Sequence, residues 1–413
     1  MSAPSVIRLA AADPLATPAL ARELSERYLV WDAFVAGSRR VDLHPLVLPR
    51  DVHAQAVAAA EGVTRAVSLV ADRAHVDPEE RARYAFDDEV VELAEASYAA
   101  GDRSALVRVD LLWGADGMFR ACEINADCPG GHNEATGLPR LARLAGHASD
   151  RDPTNVLNAL ASRLATLADG RAVGLLHATA YAEDLQVCAL VQRALQARGV
   201  RAILAPPTAP REVDGRLCIR GEPLGAVYRF FPTEGMVGQR NVSSIARAIA
   251  RGEVRSMSSF ASMYAQSKLA MARAWADAPN LPPALSRPLR DHLPVTLDVA
   301  DCPRAALLAD RAGWVLKRAL GRVGDEVFVG TLWSQEDWAA IVERVLLLRE
   351  AGDAWIAQRF IEQRPVETPW GPRLITLGAY VLDGTFVGYF CRLTTESHVS
   401  HDALAVPVFA EAS

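Results

Sequence analysis

Apolar residues recur at helical spacing through much of residues 15–100, a stretch rich in Ala, Glu, Arg and Leu. Val57, Ala60, Val63, Val67 and Val70 form one stripe, and Val90, Leu93, Ala94 and Tyr98 another, so the pattern predicts helices. From residue 105 the period shortens to that of strands. Leu106 to Trp113 reads as a strand, Gly114-Ala115-Asp116-Gly117 as a turn, and Met118 to Asn125 as the returning strand. A helical stretch follows over 153–168. Val173 to His177 then reads as a short apolar strand, Asp184 as the cap of a helix running to Arg198, and Gly199 as its end. Val200 to Leu204 reads as the next parallel strand, and Pro206 to Pro210 marks a surface turn. Residues 262–277 are predicted as a helix, 279–303 as a proline-rich loop connection, and the chain from Trp314 as antiparallel sheet with a helix at 335–350. A hairpin over 374–392 turns at Asp383-Gly384. The pattern is α+β with one α/β layer and no internal repeat.

With 413 residues, two or three domains are expected at roughly 100–200 residues each. The chain is 50% hydrophobic and 23% charged, as ordinary soluble proteins are. A net charge of -6, with basic residues scattered, argues against nucleic acid as the main partner. No apolar run reaches the roughly 18 residues of a membrane span. Met1 to Ala11 holds only Arg8 and no long apolar run, so no secretory leader is expected. The six cysteines lack zinc-type spacing and read as reduced packing residues, which points to the cytoplasm. The α/β unit lacks GxGxxG, and no Walker A motif occurs.

Side chains alternate faces along a strand, so Arg108 and Asp110 share one face of the first hairpin, as do Glu123 and Asn125. If the four turn residues form the loop, Trp113 pairs with Met118 and Arg108 falls opposite Glu123, with Asp110 diagonal to it. Two carboxylates and an amide oxygen are hard ligands suited to magnesium held jointly with phosphates. A cross-strand Arg–Glu pair on an exposed sheet face would account for the same residues. The hairpin leads directly into Cys128-Pro129-Gly130-Gly131-His132-Asn133-Glu134, where a Pro-Gly-Gly turn lets backbone approach a ligand closely.

Lysine is scarce: Lys268 and Lys317 stand in a chain whose basic residues are otherwise arginine. Lys317 ends the apolar run Trp314-Val315-Leu316 and precedes Gly321-Arg322-Val323-Gly324, a glycine loop able to fold over phosphates. An ordinary hairpin with a surface lysine fits equally. Gln358, in the strand Trp355 to Ile361, needs a partner where it is buried. An adenine edge or a neighbouring backbone group would serve. Arg392 ends the strand from Phe386 to Cys391 and reads either as a phosphate contact or as a surface residue.

Five segments, in order, resemble the circularly permuted ATP-grasp fold of the glutathionylspermidine synthetase family: VRVDLLWGADGMFRACEINADCPGGHNEA, QSKLAMARAW, WVLKRALGRVGDEVFVG, WIAQRFIE and GTFVGYFCRLTTES. The resemblance implies an ATP-dependent, magnesium-dependent ligase joining a small acid to a small amine through an acyl phosphate. It implies Asp110, Glu123 and Asn125 as magnesium ligands and Arg108 at the reacting phosphate. Lys268 and Lys317 are the implied nucleotide lysines, with Gly321 and Gly324 in the loop over the phosphates. Gln358 and the strand through Phe360 are the implied adenine edge, and Arg392 is placed at the γ-phosphate. Pro129, Gly130, Gly131, His132 and Glu134 are expected to seat the acid substrate, with His132 either a base for the amine or a loop hydrogen-bonding residue. Glu183 and Asp184 fall where the family has acidic residues near the amine, although an acidic helix cap explains them as well.

The same resemblance divides the chain into a helical segment with the metal hairpin (1–170), a preATP-grasp-like α/β domain (171–260), and an ATP-binding lid with the C-terminal sheet (261–413). With the hairpin beginning near 105, no amidase domain is expected ahead of it. The family commonly carries small hydroxyl residues after the proline of the substrate loop, where this chain has Gly130-Gly131. Glutathione and spermidine are therefore not implied as its substrates, and the oligomeric state is left open. A kinase with the same fold and an inactive nucleotide-binding scaffold are the alternatives.

Overall fold

The first helical stripe is realised in a helix whose buried face is almost entirely small. The structure, a computed structural model, describes residues 3–35, 37–148, 150–321, 326–396 and 403–412. Helix α1 (Arg50–Ala71) buries Ala56, Ala59, Ala60, Val63, Ala66, Val67 and Val70 along one side. Helix α2 (Asp88–Ala99) follows, and then the hairpin β1 (Leu106–Trp113) and β2 (Phe119–Asn125). Next come α3 (His132–Leu144) and α4 (Val156–Ala168). The α/β layer comprises β3 (Ala172–His177), α5 (Ala182–Gln196), β4 (Ala202–Ala205), β5 (Glu222–Phe230), α6 (Val242–Ala250) and β6 (Arg255–Met257). The chain continues through α7 (Lys268–Asp277), α8 (Pro283–His292), β7 (Thr296–Asp298), β8 (Trp314–Arg318), β9 (Val327–Val329), α9 (Gln335–Glu350) and β10 (Trp355–Arg359). It closes with β11 (Leu374–Leu382), β12 (Thr385–Thr394) and β13 (Leu404–Val406). Among the described residues no helix is long and apolar enough to cross a membrane.

Three sheets matter for the site. One is antiparallel in the order β13-β12-β11-β1-β2, so the polar hairpin is extended by strands from the far end of the chain. Helices α1 and α7 share a continuous core with it. The second has β4, β3, β5 and β6 parallel and packs with α4 and α5. The third is the antiparallel set β7-β10-β8-β9.

Several boundaries differ from the sequence pattern for identifiable reasons. The region expected to be a loop contains α8, because Pro283 sits at N1, where a missing N–H is harmless. Pro288 packs so closely on α1 that a Cβ at Gly62 would lie 2.6 Å from its Cβ. Asp184 is not the cap of α5: Tyr181 holds that position, and Asp184 lies in the first turn. Gly199 does follow that helix, with a left-handed φ of +73°. The helix expected over 262–277 is broken at Ser267, whose hydroxyl accepts from Leu269 N at 3.3 Å, so Lys268 opens α7. At the second hairpin, Asp383 (φ +48°) and Gly384 (φ +85°) form the turn that the sequence signalled.

The first hairpin has a different register from the simple one. Trp113 pairs with Phe119, because the turn runs from Gly114 to Met118 and closes through Gly114 N to Met118 O at 2.9 Å. A bulge then inserts Cys122, whose thiol donates to the Asp110 carbonyl at 3.3 Å. Together these offsets place Asp110 directly opposite Glu123, and Arg108 opposite Asn125. The expected Arg108–Glu123 pairing is thereby replaced.

The α/β layer is fastened to the hairpin by a buried ion pair. Arg229 of β5 is fully enclosed and donates to Asp127, to Phe231 O at 3.1 Å and to Ser258 O at 3.2 Å. Asp127 also accepts from Thr233 N at 3.0 Å and from its hydroxyl at 2.8 Å. Removing one partner strands the other charge away from water. Arg229→Met is therefore expected to lower stability by about 3–5 kcal/mol. Urea denaturation followed by circular dichroism checks this, and an unchanged midpoint would show that the pair does not fasten the layer.

Candidate functional site

The site is a cluster of opposite charges over the hairpin. Asp110, only 2% exposed, accepts from Arg108 Nε at 2.7 Å and Nη2 at 3.0 Å, and from Arg392 Nη2 of β12 at 2.8 Å. Burial works to raise its carboxyl, but the two guanidiniums outweigh that and hold it below the ordinary range. Asn125 Nδ2 lies 3.5 Å from the same carboxylate. Room for Arg108 depends on Gly378, its neighbour on β11, where a Cβ would stand 2.8 Å from Arg108 Cδ.

Glu123, opposite, is bound by Lys268 Nζ at 2.8 Å. Burial and Asp110 push its carboxyl up, yet Lys268 and Lys317 keep it lowered on balance. Lys268 also donates to Gly321 O at 2.7 Å, which brings the start of the glycine loop to the cluster. Gly324 lies outside the described residues. Lys317 donates to Cys122 O at 2.9 Å and to Gln358 Oε1 at 2.8 Å. The Lys317 ammonium is lowered by burial, and burial pushes the Cys122 thiol up to about 12. The Gln358 amide therefore has partners within the protein, its nitrogen donating to Thr296 Oγ1 at 3.1 Å. Phe360 contributes its backbone N–H to Gly313 O at 2.9 Å and is only partly buried.

The Pro-Gly-Gly loop closes over this cluster. Arg108 Nη1 and the Tyr380 hydroxyl both donate to Gly130 O, the former at 2.9 Å. Gly131 has φ +91°, and a Cβ there would meet Phe390 at 2.6 Å, so the loop tolerates only glycine at this position. Pro129 is buried beside it. His132 opens α3 and is buried, with Nε2 3.1 Å from the Tyr228 hydroxyl. Burial, with help from Arg108, pulls its imidazole down to about 3, so it is neutral near pH 7 and a weak base.

A second group of acids lies at the first turn of α3. Glu134 is raised to about 7 by burial, then by Asp32 and Glu183. Glu183 is raised by burial and by Asp32, with which it shares a hydrogen bond. Asp184 is raised by burial while accepting from the Ala178 backbone, and its charge adds to the rise of Glu183. Asp32, Tyr380, Thr296 and the Asp127–Arg229 pair were not marked by sequence pattern. An arginine inside the apolar run of β5 was the one available signal, since a buried guanidinium demands a carboxylate.

The donor set fits magnesium in chemistry. Asp110 and Glu123 are hard, deprotonated oxygen donors on opposed positions, and Asn125 can turn its amide oxygen inward. Among the described residues no group of three or more His, Cys, Asp or Glu forms a metal cage. Magnesium shared with a nucleotide would need only one or two carboxylates.

The acidic group supplies a pH test. The folded protein keeps the Glu134 proton up to about 7, against 4.5 ordinarily, so stability falls as pH rises through that window. Glu134→Gln is expected to remove this fall and to exceed the wild type by about 1–3 kcal/mol at pH 8. Thermal unfolding of both proteins at pH 5 and pH 8 measures it. An equal loss in both would place the effect elsewhere.

One solved structure shares this architecture over nearly the whole chain. A glutathione synthetase-like effector from Globodera pallida, solved in its apo form, aligns over 97% of this chain and 98% of its own, with a TM-score of 0.60 at 11% identity. That is a likeness of fold. A putative gamma-glutamylcysteine synthetase from Methylobacillus flagellatus aligns over 75% of this chain and 80% of its own, with a TM-score of 0.43 at 14% identity. No curated protein matches the sequence. The family model described as glutathionylspermidine synthase preATP-grasp matches residues 47–409, and the chain belongs to that family.

Proposed function

We propose that the chain is an ATP- and magnesium-dependent ligase, of permuted ATP-grasp type, that joins a small carboxylic acid to a small amine through an acyl phosphate. The observation carrying this reading is the convergence of Arg108, Arg392, Lys268 and Lys317 on the opposed carboxylates Asp110 and Glu123. A catalyst of phosphoryl transfer mainly positions groups and neutralises charge, and this cluster does both without a nucleophile of its own.

The steps balance simply. A carboxylate oxygen of the acid attacks the γ-phosphorus and ADP leaves. The amine nitrogen then attacks the acyl carbon, phosphate leaves, and the amine gives up a proton. Magnesium held by Asp110, Glu123 and Asn125 would supply charge neutralisation between nucleotide phosphates. Arg108 and Arg392 face the transferring phosphoryl group. Lys268 and Lys317 hold the nucleotide phosphates, together with the glycine loop. The Pro129–His132 loop, fixed by Arg108 and Tyr380, seats the acid. Glu134 and Glu183, whose ionisation burial suppresses, offer a cationic amine a place to neutralise them. In this reading residues 1–170 carry the hairpin, 171–260 the α/β domain, and 261–413 the nucleotide lid and closing sheet.

A screen of amino acids and amines by ADP release, with mass spectrometry of products, tests the reaction. ADP and phosphate are expected only when acid and amine are both present. A stable phosphorylated product formed without amine would make the chain a kinase instead. Glu123→Ala removes a proposed metal donor and leaves Lys268 without its carboxylate. It is expected to lose about 100-fold or more in turnover while remaining folded. Near-normal ADP release by this variant would contradict the site assignment.

A further inference from the structure

Lys317, Gln358 and Thr296 come from adjacent strands of one sheet and share a face. Thr296 pairs directly with Gln358 across β7 and β10, and Val315 of β8 pairs with Gln358 on the other side. Lys317, two residues further along β8, is therefore diagonal to Gln358 on the same face. All three are buried: Thr296 is 0% exposed, Gln358 2% and Lys317 8%.

The direction of each hydrogen bond in this row is fixed by chemistry. An ammonium only donates, so the Gln358 end at 2.8 Å from Lys317 Nζ must be its oxygen. The amide nitrogen then faces Thr296 Oγ1 at 3.1 Å and donates to it. The Thr296 hydroxyl passes its hydrogen to Pro294 O at 2.8 Å, a carbonyl that only accepts. No member can reverse without setting donor against donor. At the far end, Lys317 donates to Cys122 O on the bulge of the carboxylate hairpin, which belongs to a different sheet. Two of its three N–H bonds thus hold described partners.

We propose that Thr296 and Gln358 are positioning residues for Lys317, a one-way relay that aims its remaining N–H at the polyphosphate of a nucleotide rather than reading the base. This rests on the ligase reading, in which Lys317 meets the nucleotide. The Gln358 amide is enclosed, with its oxygen held by Lys317 and one N–H by Thr296, and in this reading the base edge is recognised by other groups. Losing the Thr296 hydroxyl leaves the buried Gln358 N–H without its acceptor, so the amide is held only at its Lys317 end and no longer fixes the ammonium.

The test is calorimetric affinity for ATP and for inorganic tripolyphosphate, each with magnesium, in wild type, Thr296→Val, Thr296→Ser and Gln358→Leu, with melting temperatures alongside. Thr296→Val and Gln358→Leu are expected to weaken both ligands by the same factor, about 5- to 100-fold, as for a buried hydrogen bond left unmade. Thr296→Ser, which restores the hydroxyl, is expected within about twofold of wild type. Weakening of ATP alone would mean that Gln358 reads adenine, and would overturn the relay while leaving the ligase reading intact. A lower melting temperature with unchanged affinities would reduce the row to a structural role and overturn it as well. A wild type that binds neither ligand would overturn the ligase reading and the relay together.

Discussion

Asp110 and Glu123 stand opposite one another on neighbouring strands, the first buried and the second partly so, and Asp110 pushes the Glu123 carboxyl toward protonation. Carboxylates so placed ionise only where cations are supplied, and this chain supplies them from separate regions. Arg108 comes from the same strand, Arg392 from a strand nearly 300 residues away, and Lys268 from the start of a helix (282 positions separate Arg392 from Asp110). Taking ions out of water costs several kcal/mol each, so such a cluster adds little to stability. In the proposed reaction its worth would lie in pre-organisation, because charges already aimed need no rearrangement when a phosphoryl group arrives. Much of the surrounding structure follows from making room for them. The Cys122 bulge brings the carboxylates face to face, and Gly378 leaves space for the Arg108 side chain.

The Pro-Gly-Gly loop shares that constraint. Arg108 divides its donors between Asp110 and the carbonyl of Gly130, which ties the proposed phosphate-binding residue to the loop. Tyr380 donates to the same carbonyl from the strand beside Arg108. Behind them, Asp127 fastens the loop's base to the α/β layer through Arg229. Changes at any of these positions would reach the proposed acid subsite through one or two hydrogen bonds.

The sequence carried the faces of the hairpin, since alternation alone puts Arg108 with Asp110 and Glu123 with Asn125. It also carried the helical stripe of α1, the α/β unit, and the turn at Asp383-Gly384, each of which has a local cause. The two lysines stood out through composition, and both reach the hairpin. Register was not legible, because a five-residue turn and a single bulged residue leave the alternation of Leu106 to Asn125 almost unchanged. Helix α8 was hidden by its own prolines, whose tolerance depends on N1 placement and on Gly62 of a distant helix. Partner choice was hidden too. Arg108 turned to Asp110 in place of Glu123, and Asp32 meets Glu183 across 151 residues, contacts set by folding rather than by any neighbouring pattern.

In the proposed reaction Asp110 and Glu123 hold a divalent ion together with nucleotide phosphates. Electron paramagnetic resonance of manganese, titrated into the protein with and without ADP, reports that directly. Tight manganese binding is expected only when ADP is present, because two carboxylates already paired with cations need the phosphates to complete the shell. Asp110→Asn is expected to abolish it. Manganese bound equally by wild type and Asp110→Asn would place the metal elsewhere and rule this site out.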